Sequence, residues 1–69
     1  MTRLRELRKL RGYSQLKVAM DLHMSQNTIS RYETGDHEPG LKELIALADY
    51  YNVSTDYLLE RSKDPRFHP

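Results

Sequence analysis

The sequence predicts an all-α fold of five short helices, and three observations predict it. No stretch alternates apolar and polar residues as a half-buried strand does. Serine precedes three apolar-periodic runs, at Ser14, Ser25 and Ser54, where a side-chain oxygen can accept an orphan helix amide. Gly12, Gly35 and Asn52 stand just past three runs, where a left-handed residue closes a helix. At 69 residues the chain makes one compact domain at most. A domain of this size buries only about 60% of the surface its unfolded chain exposes.

The first helix is expected over about Thr2 to Arg11, with Leu4, Leu7 and Arg8 inward and Gly12 as its stop. The second, capped by Ser14, spans Gln15 to Leu22 and buries Leu16, Val18 or Ala19, and Leu22; His23 and Met24 end it. Ser25 caps a third that ends at Gly35. Asp36 to Gly40 holds a proline and a glycine, which start rather than continue a helix. The fourth helix, Leu41 to Tyr51, sets Leu41, Leu44, Ile45, Ala48 and Tyr51 at helical spacing. Ser54 caps a fifth, Thr55 to Glu60, with Asp56 where a carboxylate suits the helix dipole. These elements define a domain over residues 1–61, followed by a proline-bearing tail, 62–69, in which Phe67 is a candidate anchor on a partner subunit.

Only His23 to Ser25 separate the second and third helices. So short a turn forces a sharp angle and leaves the third helix projecting, the geometry of a helix-turn-helix. Residues 1–35 carry seven basic side chains against three acidic, a net +4, and residues 36–69 carry a net −3. The basic half, Arg5 included, is the one suited to a polyanion.

Other classes fit poorly. There is no cysteine for a disulfide or thiolate site. His23, His37 and His68 show no metal-ligand spacing, and no cofactor is expected. No nucleophile motif or glycine-rich phosphate loop points to an enzyme. No apolar run approaches the roughly 20 residues of a membrane span, and no signal-peptide core is evident, so a cytoplasmic protein is expected.

At about 100° per residue, Gln26, Ser30, Thr34, Asn27 and Arg31 share one arc of the third helix, while Thr28, Tyr32, Ile29 and Glu33 share the other. Gln and Asn amides match the N6/N7 edge of adenine, and Arg matches the O6/N7 edge of guanine. Four such side chains near the start of a projecting helix point to base readout rather than to an ordinary solvated face. The five tyrosines fall among leucines and fit core or dimer contacts better than a stacking platform for single strands.

The stretches "LRELRKLRGYSQ", "MSQNTISRYETG" and "LADYYNVSTDYLL", with Ala19 and Pro39, make the chain resemble the Xre/Cro family of phage-repressor-like helix-turn-helix proteins. The resemblance implies a compact lambda-repressor-like DNA-binding domain. It places Gln26, Asn27, Ser30 and Arg31 at base-reading positions. It gives Gln15, Ser25, Thr28 and Thr34, the backbone amides of the loop after the third helix, and more weakly Lys42, to phosphates or to positioning. Arg8 and Glu33 match a structural salt bridge, and Ala19 a close helix crossing. His23 departs from the pattern, standing where the family has a turn glycine. A turn residue under some strain is the simplest reading of it.

The expected function is sequence-specific binding of double-stranded DNA by a small repressor, acting as a homodimer on a palindromic operator. The resemblance puts the dimer surface on the last two helices, with Tyr50, Tyr57, Leu58 and Leu59 as candidates that fit the core equally well. The alternatives are an antitoxin or regulator that also holds a toxin or antirepressor, and a helical module that binds only protein.

Overall fold

The computed structural model describes residues 2–66 and holds five helices: α1 Leu4–Leu10, α2 Gln15–Leu22, α3 Gln26–Thr34, α4 Leu41–Tyr51 and α5 Thr55–Leu58. Among the described residues there is no strand. Phe67 and His68 lie outside the described residues.

Local chemistry sets most boundaries. The side chains of Ser14, Ser25 and Ser54 accept the amides of Lys17, Thr28 and Tyr57 at 3.0, 3.1 and 3.0 Å. Each such cap stabilises its helix by about 1 kcal/mol. Four helices share one closure. Left-handed residues at Gly12, His23, Asn52 and Glu60 follow α1, α2, α4 and α5. In each case the next amide reaches back five residues: Tyr13 to Arg8, Met24 to Ala19, Val53 to Ala48 and Arg61 to Asp56, at 2.8–3.1 Å. At α5 this closure falls early. Leu59 leaves the helix and Glu60 turns left-handed at φ 63°, so α5 ends at Leu58 and not at Glu60. At the other end of the chain, α1 begins at Leu4 and not near Thr2, with Arg3 at its N-cap.

His23 sits at φ 57°, ψ 41° in the turn between α2 and α3. A non-glycine residue there carries about 1–2 kcal/mol of strain. His23→Gly is therefore expected to stabilise the domain by about 0.5–1 kcal/mol, once glycine's larger unfolded-state entropy is subtracted. A higher urea midpoint at unchanged slope is the expected result. A lower midpoint would show that the imidazole itself holds the turn.

The core gathers Leu4 and Leu7 of α1, Val18 and Ala19 of α2, Ile29 and Tyr32 of α3, Leu47, Ala48 and Tyr51 of α4, then Val53 and Leu58. Burial pushes the Tyr51 hydroxyl up to about 12. Three residues expected inside lie outside: Leu16, Leu41 and Ile45 are exposed, while Leu47, absent from the expected set, is only 2% exposed. α4 is apolar over most of its circumference, so spacing alone does not choose its phase. The buried stripe is centred on Leu47 and Tyr51, and Ile45 lies about 120° from Tyr51 at helical pitch. Val18 and Ala19 are both buried, which rotates Leu16 to the rim of α2.

Leu58 is fully buried and belongs to the core, not to a surface for a partner. Tyr57 and Tyr50 also pack against the core. The Tyr50 hydroxyl donates to Asp21 at 2.6 Å and its ring meets Tyr13 and Tyr51, which ties α4 to α2. This bond, with a second from Lys17, holds the Asp21 carboxyl below the usual carboxylate range. Leu59 stays half-buried.

Arg3 joins the two ends of the fold. Its amide donates to Leu58 O at 2.9 Å, its Nε to Tyr57 O at 2.9 Å, and its guanidinium lies 4.4 Å from the Tyr57 ring centroid. Its Nη2 reaches Ser62 O at 3.4 Å, and the Ser54 amide donates to Pro65 O at 2.8 Å. Residues 62–66 are thus fastened to the start of α1 and to the cap of α5 by contacts within the chain.

Candidate nucleic-acid interface

α3 leaves the turn at His23–Ser25 with its direction fixed at both ends. The Ser25 hydroxyl accepts the Thr28 amide and lies 2.7 Å from the Thr28 hydroxyl, so the first turn of α3 is closed by side chains. Gly35, at φ 82°, closes the far end. Between them Ile29 and Tyr32 face the core, whereas Gln26, Asn27, Arg31 and Thr34 are exposed and Ser30 and Thr28 are half-buried. The exposed arc holds hydrogen-bonding side chains whose only charge is one arginine.

Glu33, on the inner side of α3, is the hub of a buried polar cluster. Arg8 Nε and Nη2 donate to its two oxygens at 2.6 and 3.1 Å, and Gln15 Nε2 donates at 3.2 Å. Arg8 Nη1 also donates to Tyr13 O at 2.8 Å. The two side chains are 12% and 3% exposed. The bond to Glu33 raises the Arg8 guanidinium above its ordinary value. A bidentate fork of this kind fixes angle as well as distance. It locks α3 onto α1, while the side chain of Gln15, at the start of α2, is directed to Glu33.

The match to a helix-turn-helix family model runs over residues 4–58, from the first residue of α1 to the last of α5. The chain belongs to this family. The family is the Xre/Cro-like one, whose members are DNA-binding regulators rather than enzymes, and the five helices have the lambda-repressor-like arrangement. The chain is similar to the HTH-type transcriptional regulator ImmR of Bacillus subtilis, at 41% identity over 88% of this chain and 48% of the relative. It is 36% identical to the HTH-type transcriptional regulator AnsR of the same organism, over 100% of this chain and 60% of the relative. An SPbeta prophage-derived regulator, YonR, also of B. subtilis, is 41% identical over 84% of this chain and 54% of its own length. The chain thus spans about half the length of the curated relatives it matches. No solved structure matches it significantly.

In this helix-turn-helix two features were not visible in the sequence. The first is how many of the basic side chains are engaged within the fold. Arg3 and Arg8 make the internal bonds described above, Arg11 Nη2 donates to Tyr51 O at 2.8 Å, and Lys17 pairs with Asp21 at 3.0 Å. Among the described residues Arg5, Lys9, Lys42, Arg61 and Lys63 are exposed and their side chains have no ionic or hydrogen-bonding partner. The electrostatic footprint is thinner than the charge count implies.

The second feature is the loop after α3. The amides of Gly35, Asp36 and His37, expected to be available for phosphate, are bonded internally to Tyr32 O, Thr34 Oγ1 and Arg31 O at 3.4, 3.4 and 3.2 Å. The left-handed turn at Gly35 folds the chain back onto the end of α3, which takes up these donors. The Thr34 hydroxyl also donates to Arg31 O at 3.2 Å. His37 stacks on Tyr32 with ring centroids 5.7 Å apart. No helix is long and apolar enough to cross a membrane, and no group of three or more His, Cys, Asp or Glu stands ready for a metal among the described residues.

Proposed function

We propose that the chain is the sequence-reading module of a cytoplasmic transcriptional repressor that binds a palindromic operator as a homodimer. The observation that carries this reading is the exposed arc of α3. Gln26, Asn27, Ser30 and Arg31 lie along one side of a helix whose cap and Arg8–Glu33 lock hold it rigid. Gln26, Asn27 and Arg31 have the chemistry of bidentate base contacts, and Ser30 stands at the edge of the groove. Gln15, Ser25, Thr28, Thr34 and Lys42 serve phosphates, which set register without reading sequence. Because several of their polar groups are satisfied in the free chain, DNA must exchange or share those bonds. Three relatives are HTH-type transcriptional regulators by name, which supports the regulatory reading.

The size of the fold supports the dimer. The fold is 31 Å along its longest axis, while successive major grooves on one face of DNA lie roughly 34 Å apart. One copy reads one half-site, and with six of the eleven basic side chains engaged within the fold, less affinity is left to come from the backbone alone.

Enrichment of a random duplex pool on the purified protein at near-physiological salt tests the proposal. The expected result is a palindrome with half-site centres about 10 base pairs apart. A single unrepeated site would overturn the dimer, and no enrichment at all would overturn base readout.

A further inference from the structure

Arg31 is not free in this structure. Its Nε donates to Asp36 Oδ2 at 3.0 Å, across the turn that ends α3. We infer that Asp36 is a specificity-determining positioning residue, which holds the Arg31 guanidinium so that its outer nitrogens meet one base pair in one orientation. The inference rests on the reading of Arg31 as a base-contacting residue and deepens it.

Three observations carry it. Asp36 is itself held in place: its amide bonds to Thr34 Oγ1, that hydroxyl donates to Arg31 O, and the His37 amide donates to the same carbonyl. The carboxylate and the arginine it grips are therefore joined through backbone as well as side chain. Next, the bond uses Nε and leaves both Nη groups for a guanine O6/N7 edge, which takes two parallel donors. Finally, the pair contributes little to stability. Its side chains are 49% and 67% exposed, and exposed ion pairs have a median contribution of about 0–1 kcal/mol. Its effect grows when DNA covers it, because the same charges interact more strongly once water is excluded.

The charge on Asp36 acts in a second way. An unpaired arginine at this position attracts any phosphate within reach, whatever the sequence. Paired with Asp36, Arg31 is largely neutralised, and release toward a phosphate leaves the carboxylate alone beside a polyanion. The guanine contact keeps the pair intact. Asp36 therefore favours the base edge over the backbone.

The test compares the base preferences of the wild-type chain, Arg31→Ala, Asp36→Asn and the double variant against a duplex pool, with thermal melts as a control for folding. Asp36→Asn is expected to melt with the wild type. It should flatten the preference at the position that Arg31→Ala flattens, by about fivefold, the lower end of what one bidentate pair discriminates. Binding to unrelated DNA should tighten, with a salt slope steeper by up to about 0.9, the value of one added phosphate contact. In the Arg31→Ala background, Asp36→Asn should change nothing at that position. If Arg31→Ala flattens a position that Asp36→Asn leaves intact, the role of Asp36 is overturned while base reading by Arg31 stands. If Arg31→Ala flattens no position, Arg31 does not read a base, and both fall together.

Discussion

Arg8→Ala is expected to destabilise the domain by about 3–5 kcal/mol, the usual penalty for stranding one member of a buried ion pair. Glu33 is 3% exposed, and two of the three bonds to its carboxylate come from Arg8. Among the described residues its only remaining donor is the neutral amide of Gln15. A chain of this length has a total stability of roughly 3–10 kcal/mol, so the substitution removes a large fraction of it. A urea titration followed by helical circular dichroism should show the midpoint fall sharply or the native baseline vanish.

The companion variant separates charge from shape. Replacing both partners with apolar residues of similar volume, Arg8→Met with Glu33→Leu, removes the stranded charge and should return most of the lost stability. Recovery would show that the pair sets the angle of α3 rather than providing net stability. The doubly substituted protein, folded but without the fork, then shows whether that angle matters for DNA. A loss below about 1 kcal/mol in Arg8→Ala would instead mean that water reaches the Glu33 carboxylate.

Features governed by neighbours in sequence were the most legible. Ser14, Ser25 and Ser54 each cap within three residues, and the left-handed stops at Gly35 and Asn52 depend on one backbone conformation. The start of α2, both ends of α3, the end of α4 and the start of α5 follow from these alone. What the sequence left open depends on distant packing. Leu47 and Ile45 are equally apolar and two positions apart, and only the docking of α4 decides that Leu47 is inside. Leu16 fails for the same reason. The Asp36 grip on Arg31 needs the actual turn at Gly35, because five residues of sequence separation place no carboxylate on a helix face beside an arginine. The basic first half misled in a similar way: a charge count does not show which arginines donate to the carbonyls at Tyr51 and Tyr57.

The double variant Gln26→Ala, Asn27→Ala is expected to lose about 2–6 kcal/mol of binding to the enriched operator, from two bidentate contacts of about 1–3 kcal/mol each. Both side chains are exposed on the first turn of α3 and the Ser25 cap is untouched, so stability should stay within about 0.5 kcal/mol of wild type. Anisotropy titrations on the operator and on a shuffled duplex provide the decisive ratio. Base readers affect the operator alone, so affinity for the shuffled duplex and the salt slope on both should be unchanged. Equal loss on the two duplexes would make Gln26 and Asn27 phosphate contacts and move sequence reading elsewhere on the chain. The ratio is well suited to this protein because six of its eleven basic side chains are engaged within the fold. Because Ser30 and Arg31 still face the bases in the double variant, operator binding should fall toward the level of the shuffled duplex without reaching it.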